Sequence, residues 1–182
     1  RFGLLVIIVL GESILAATGA VGAALTSSAG FETGMIDVVL GGLLTLFAAW
    51  WIYFVKEAGE FLEPSNEGFG WAYGHYLIFG LAAAMGAGLA VNIEHATTGT
   101  QATDLIVAAS VTVPAALYLF FVWLLHFRPH RLPSTYPTLC LIGTAGMLAA
   151  TFAPMPILTC GIVASIVVAG LVVLGHREAV TA

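Results

Sequence analysis

The chain is 182 residues long, 60% hydrophobic and only 8% charged, with a mean hydropathy of +1.03 and a formal net charge of −5. Soluble domains carry roughly 25% charged residues, so this composition excludes a water-soluble protein and predicts an all-α, polytopic membrane protein. No nucleic-acid partner is expected, because the few Lys and Arg residues form no basic stripe and the acids sit mostly between apolar runs.

Six apolar spans are predicted, about residues 2–25, 35–55, 69–93, 105–127, 138–153 and 157–174, followed by a cytoplasmic tail over 176–182. The first is too long for a signal peptide and lacks a charged leader and a cleavage site. The chain starts at a helix without Met, which predicts a fragment of a longer protein. The second span ends in Trp50, Trp51, Tyr53 and Phe54, an aromatic group suited to the headgroup level. The most polar stretch, Lys56 to Glu67, separates it from the third. Pro114 lies inside the fourth span and predicts a kink there. Pro137 precedes the fifth at a first-turn position, and Pro154-Met155-Pro156 predicts a tight turn before the sixth. The last two spans are short against the 17–25 residues that a crossing takes, so a re-entrant hairpin is the alternative for that pair.

The basic residues set an orientation. Lys56, then Arg128 and Arg131, then Arg177 fall on one face, which is read as cytoplasmic. Arg1 is assigned to the opposite, outer face. Cys140 and Cys160 lie in apolar surroundings near opposite ends of their spans, so no disulfide, redox motif or metal site is expected from them. No Walker motif, dinucleotide fingerprint or nucleophile elbow is present, and no cofactor is expected. Small residues at four-residue spacing (Ala16, Ala20, Ala24; Gly41, Thr45, Ala49; Gly80, Ala84, Gly88) predict close helix packing.

Glu12 is the strongest chemical signal. A helix starting near Phe2 places it about 15 Å deep, near the middle of a hydrocarbon core about 30 Å thick. A carboxylate there costs about 3 kcal/mol on insertion scales, so it must be neutral or paired. Its face, with Ile8, Ala16 and Gly19, is expected to turn inward, while Ile7 and Leu10 meet lipid. His75 and Tyr76, about 9 Å from the cytoplasmic face of the third span, are the expected partners in a proton or substrate relay. An interfacial His among Trp71, Tyr73 and Tyr76 is the plain alternative. Asp37, Glu94 and Asp104, with Glu32, all fall on the outer side and are candidates for an acidic vestibule that attracts cations. Asn92 is placed to hydrogen-bond across helices. His126 and His130 flank Arg128 and read as a solvated basic loop rather than a metal site, and metal binding by Glu94 and His95 is not expected either.

The run Arg1-Phe-Gly-Leu-Leu-Val-Ile-Ile-Val-Leu-Gly-Glu12-Ser13 resembles the signature of the bacterial low temperature requirement A (LtrA) family. So do Gly41-Gly42, Trp50-Trp51-Ile-Tyr53-Phe54, Tyr73-Gly74-His75 and the stretch from Ala116 to Arg131. The family's pattern carries an acid just before the residue matching Arg1, a position this chain does not include. The resemblance implies a multi-pass protein of the bacterial cytoplasmic membrane, of which this chain is the C-terminal half and the missing N-terminal half a partner, along with the lipid bilayer. The family is named for a growth phenotype in the cold, so the resemblance implies no reaction. Three readings stay open: a transport or channel-like core for a small ion or solute using Glu12, a structural or regulatory envelope protein for growth in the cold, and a membrane-embedded lipid-modifying enzyme. No nucleophile–base set supports the third.

Overall fold

A computed structural model describes residues 2–26, 33–55, 67–99, 101–128 and 134–181. Among them the chain is all helical: α1 (Phe2–Thr26), α2 (Thr33–Phe54), α3 (Glu67–Thr98), α4 (Asp104–Val122, continued by a π-helical turn Trp123–Phe127), α5 (Thr135–Ala150) and α6 (Pro156–Thr181). Helices are the dictated outcome, because lipid offers no partner for a free backbone N–H or C=O. The α3 helix runs past the expected end at 93 and takes in His95. The α6 helix continues through Thr181, so most of the expected tail over 176–182 is helix, while Ala182 lies outside the described residues.

Windows in α1, α2, α3, α4 and α6 are long and apolar enough to cross a membrane. At 16 residues, α5 is about 24 Å long, short of a core about 30 Å thick. It lies antiparallel to α6, with Leu139 packed at Gly170, and Val167 and Val163 close to Gly143 and Gly146. The first turn of α6 meets α2 at Asp37 and Gly41, one to two helical turns below the start of α2.

Two ends of the bundle are defined. At one end Phe2 packs on Trp71 and His75, Tyr53 on His126, and Tyr136 approaches Gly175. The starts of α1, α3 and α5 therefore share that end with the ends of α2, α4 and α6, and with exposed Arg128 and Arg177. This corrects the placement of the N-terminal end on the opposite face: an even number of passes brings a chain back to the side where it began. Arg1, Lys56 and Arg131 themselves lie outside the described residues.

Close crossings occur where side chains are missing. A Cβ on Gly41 would overlap the backbone of Ile157 and Leu158, and one on Gly88 would overlap the carbonyl of Ser110. That carbonyl is the one that Pro114 deprives of its helical donor, and it lies against Gly88 of α3. Asn92 secures the same crossing, donating through Nδ2 to Gly88 O and Val107 O, each at 2.8 Å, and to Ser110 Oγ at 3.1 Å. Single bonds also join other neighbours: Ser13 Oγ to Ala82 O (α1–α3), Tyr118 OH to Ala49 O (α4–α2) and Thr112 to Thr151 beyond the end of α5. Of the three small-residue stripes, the Gly41 stripe is packed: Gly41 lies against α6, and Thr45 and Ala49 are buried. Gly80 faces open space although Gly88 of the same stripe is packed against α4, Ala16 of the α1 stripe is exposed, and the side chains of Ala20 and Ala24 lie outside the described residues.

Candidate functional site

His75 enters five residues after Gly70, where the apolar window of α3 begins. Gly74 beside it leaves room for Leu125 of α4, whose side chain occupies the space of the missing Cβ. That approach brings the ends of α3 and α4 together. In α4 the last turn before Arg128 is π-helical, one residue wider than an α turn, and it carries both His126 and Phe127 inward, each 2% exposed.

The two histidines meet. His75 is fully buried, and its Nδ1 lies 2.8 Å from Trp71 O. A carbonyl only accepts, so Nδ1 of His75 carries the proton and its Nε2 presents a lone pair. His126 Nε2 lies 3.2 Å from that atom and donates to it. Aromatic rings enclose the pair. Trp71 and Phe2 pack at a tilt against His75 with ring centroids 4.1 and 4.8 Å away, and Tyr53 packs on His126 at 4.7 Å. Phe79 lies 6.0 Å from His75. The site is thus an imidazole pair in an aromatic box, within about two turns of the basic end of the bundle.

The expected relay between Glu12 and His75 or Tyr76 is not formed. Both ring nitrogens of His75 are engaged elsewhere, and Tyr76 is 69% exposed on the outside of α3. Glu12 is exposed as well, and so are Ile8, Ala16 and Gly19 on the face expected to turn inward. The buried stripe of α1 is instead Val6, Leu10 and Ser13, at helical spacing. Leu10, expected to meet lipid, is 3% exposed, whereas Ile7 does face outward at 47%. The reason is steric: Gly86 admits Ser13 so closely that a Cβ there would strike its hydroxyl, and this sets the rotation of α1. Ser13 bonds Ala82 O, seven residues beyond His75, so Glu12 lies about 10 Å deeper than the histidine pair.

The outer acids among the described residues sit in different surroundings. Asp37 is 7% exposed, and its Oδ1 accepts a 2.8 Å bond from the backbone N–H of Leu158. It caps the start of α6, where the first turn leaves N–H groups without helical partners. Glu94 is exposed, and Asp104 is paired with His95 at 3.0 Å. Glu32 and His130 lie outside the described residues. Cys140 and Cys160 are both buried free thiols. Groups of three or more His, Cys, Asp or Glu side chains able to hold a metal do not occur among the described residues.

His126 is the functional candidate that sequence reasoning misplaced, as part of a solvated loop. The available signal was depth. His75 lies just inside the point where one apolar run begins, His126 just inside the point where the next one ends, and a short connection makes those runs neighbours.

The family model described as Bacterial low temperature requirement A protein (LtrA) matches residues 1–174. No curated protein and no solved structure gives a significant match.

Proposed function

The chain belongs to the bacterial low temperature requirement A family, and from that premise we propose that this multi-pass membrane protein carries protons, with His75 and His126 as the proton-holding pair. The observation that carries the reading is the 3.2 Å contact between two buried Nε2 atoms. Imidazole is the side chain that gains and loses a proton near neutral pH. A proton added to the pair is shared by two rings through a charge-assisted N–H···N bond, which is stronger than a neutral one. The Trp71, Phe2 and Tyr53 rings lie within the roughly 6 Å over which aromatic faces attract a cation. The box therefore offsets part of the cost of holding a positive charge away from water. The position near the basic end gives the pair a short path to the cytoplasmic side in the orientation read from Lys and Arg.

Liposomes with an internal pH dye test this. Purified protein should collapse an imposed proton gradient faster than empty liposomes. His75→Gln and His126→Gln should slow it by roughly tenfold or more, as for loss of a positioned acid–base group. If a folded His75→Gln/His126→Gln double variant conducts like the parent, the pair is a structural hydrogen bond. If the parent itself conducts nothing, the structural or regulatory reading replaces transport.

A further inference from the structure

We propose that the outward face of α1 docks on the same face of a second copy of this chain, with the two Glu12 carboxyl groups bonded to each other across a twofold axis. This goes beyond proton carriage and does not depend on it. Leu4, Ile8, Gly11, Glu12, Leu15 and Gly19 are all exposed and fall within an arc of about 100° around the helix. They lie opposite the buried stripe of Val6, Leu10 and Ser13. Only 17% of the α1 span is buried, the least of the five long spans. Glu12 stands about 15 Å along a helix that starts at Phe2, near the middle of a hydrocarbon core about 30 Å thick. A carboxyl group at that depth is costly against acyl chains, and such groups pair with another polar group. Gly11 and Gly19 have no neighbour within 4 Å of where a Cβ would stand, so a second backbone can come close on either side of the acid.

Membrane insertion selects the occupant. Every copy enters the bilayer in one orientation, set by its basic residues, so the twofold axis of a dimer runs along the membrane normal. Each α1 residue near that axis then meets its own copy at its own depth. The five Lys and Arg residues, Arg1, Lys56, Arg128, Arg131 and Arg177, all fall at the ends of the apolar runs, so no Lys or Arg of a second copy stands at the depth of Glu12. The second Glu12 does. A neutral carboxyl group both donates and accepts. Two of them facing each other form two O–H···O bonds and require no other group.

Disulfide trapping of the full-length protein in native membranes tests the face. In a cysteine-free background that includes Cys140→Ala/Cys160→Ala, Ile8→Cys and Leu15→Cys should give a covalent dimer on oxidation. Ile14→Cys, about 160° around α1 from Glu12, should not. Energy transfer between labelled copies diluted in liposomes then reads the affinity. Glu12→Gln, whose amide also donates and accepts, should keep association within about threefold of the parent. Glu12→Leu should weaken it roughly tenfold or more, as for loss of hydrogen bonds between helices in lipid. It should leave the thermal midpoint of the monomer in detergent unchanged, because Glu12 faces away from the bundle. That split separates docking from misfolding. A parent that stays monomeric, which gives the face to a different helix, overturns the proposal. So does a dimer that traps through Ile14→Cys rather than Leu15→Cys, or one that Glu12→Leu leaves intact.

Discussion

Glu12 and Ser13 are neighbours in sequence and occupy opposite environments. Ser13, 4% exposed, bonds across to α3, while the larger and costlier Glu12 points away from the bundle. Polarity alone ranks them the other way, because burying a carboxyl among helices is the cheapest escape from lipid. Contact with Gly86 decided the matter, since α1 can approach α3 there only through a small side chain. A prediction follows for Glu12. With the histidine pair bonded to itself and to Trp71 O, Glu12→Gln should leave proton flux within about twofold of the parent, against a loss of tenfold or more at the pair. Flux in the same liposomes checks this. A loss with Glu12→Gln equal to that with His75→Gln would restore Glu12 to the relay.

At the scale of elements, the helices are held by backbone proximity and single polar stitches rather than by a hydrophobic drive, which is absent between apolar helices in lipid. The α2–α6 crossing shows both devices. Gly41 and Gly161 allow the backbones to touch, and Asp37 accepts from Leu158 N at the start of α6. Asp37→Ala should cost about 1–2 kcal/mol, the usual value of an N-terminal cap, read as a lowered thermal midpoint in detergent. Asp37→Asn should recover most of it, because an amide oxygen accepts the same bond. If Asp37→Ala melts like the parent but alters cation uptake, the carboxylate serves the outer surface, as the acidic-vestibule reading holds, and not α6. Gly41→Leu should be worse than either, since the atoms that it meets are backbone and cannot turn aside.

For the whole molecule, the bundle has one end carrying Arg128 and Arg177 and another carrying Glu94 and Asp104. Positive residues favour the cytoplasm. A cysteine placed at Gly99, in a Cys140→Ala/Cys160→Ala background, should therefore react with an impermeant thiol reagent added outside intact cells. One placed at Ser134 should react only after lysis. The reverse pattern would invert the orientation; the loops at Ser28 and Glu63, to which the same expectation applies, lie outside the described residues. The membrane class and the helical fold were legible in the sequence because they depend on totals: apolar content, run length and the rule that lipid satisfies no backbone group. The family was legible in short runs such as Gly11-Glu12-Ser13 and Tyr73-Gly74-His75. Helix rotation was not. It depends on which glycine meets which side chain across a crossing, as Gly86 meets Ser13 and Gly74 meets Leu125. A rotation of about 100° per residue is enough to exchange Glu12 for Ser13 in the interior. The sequence by itself therefore determined a polytopic helical membrane protein of this family. Only the tertiary structure turned Glu12 outward and joined His75 to His126, because steric fit between distant residues sets the phase of each helix.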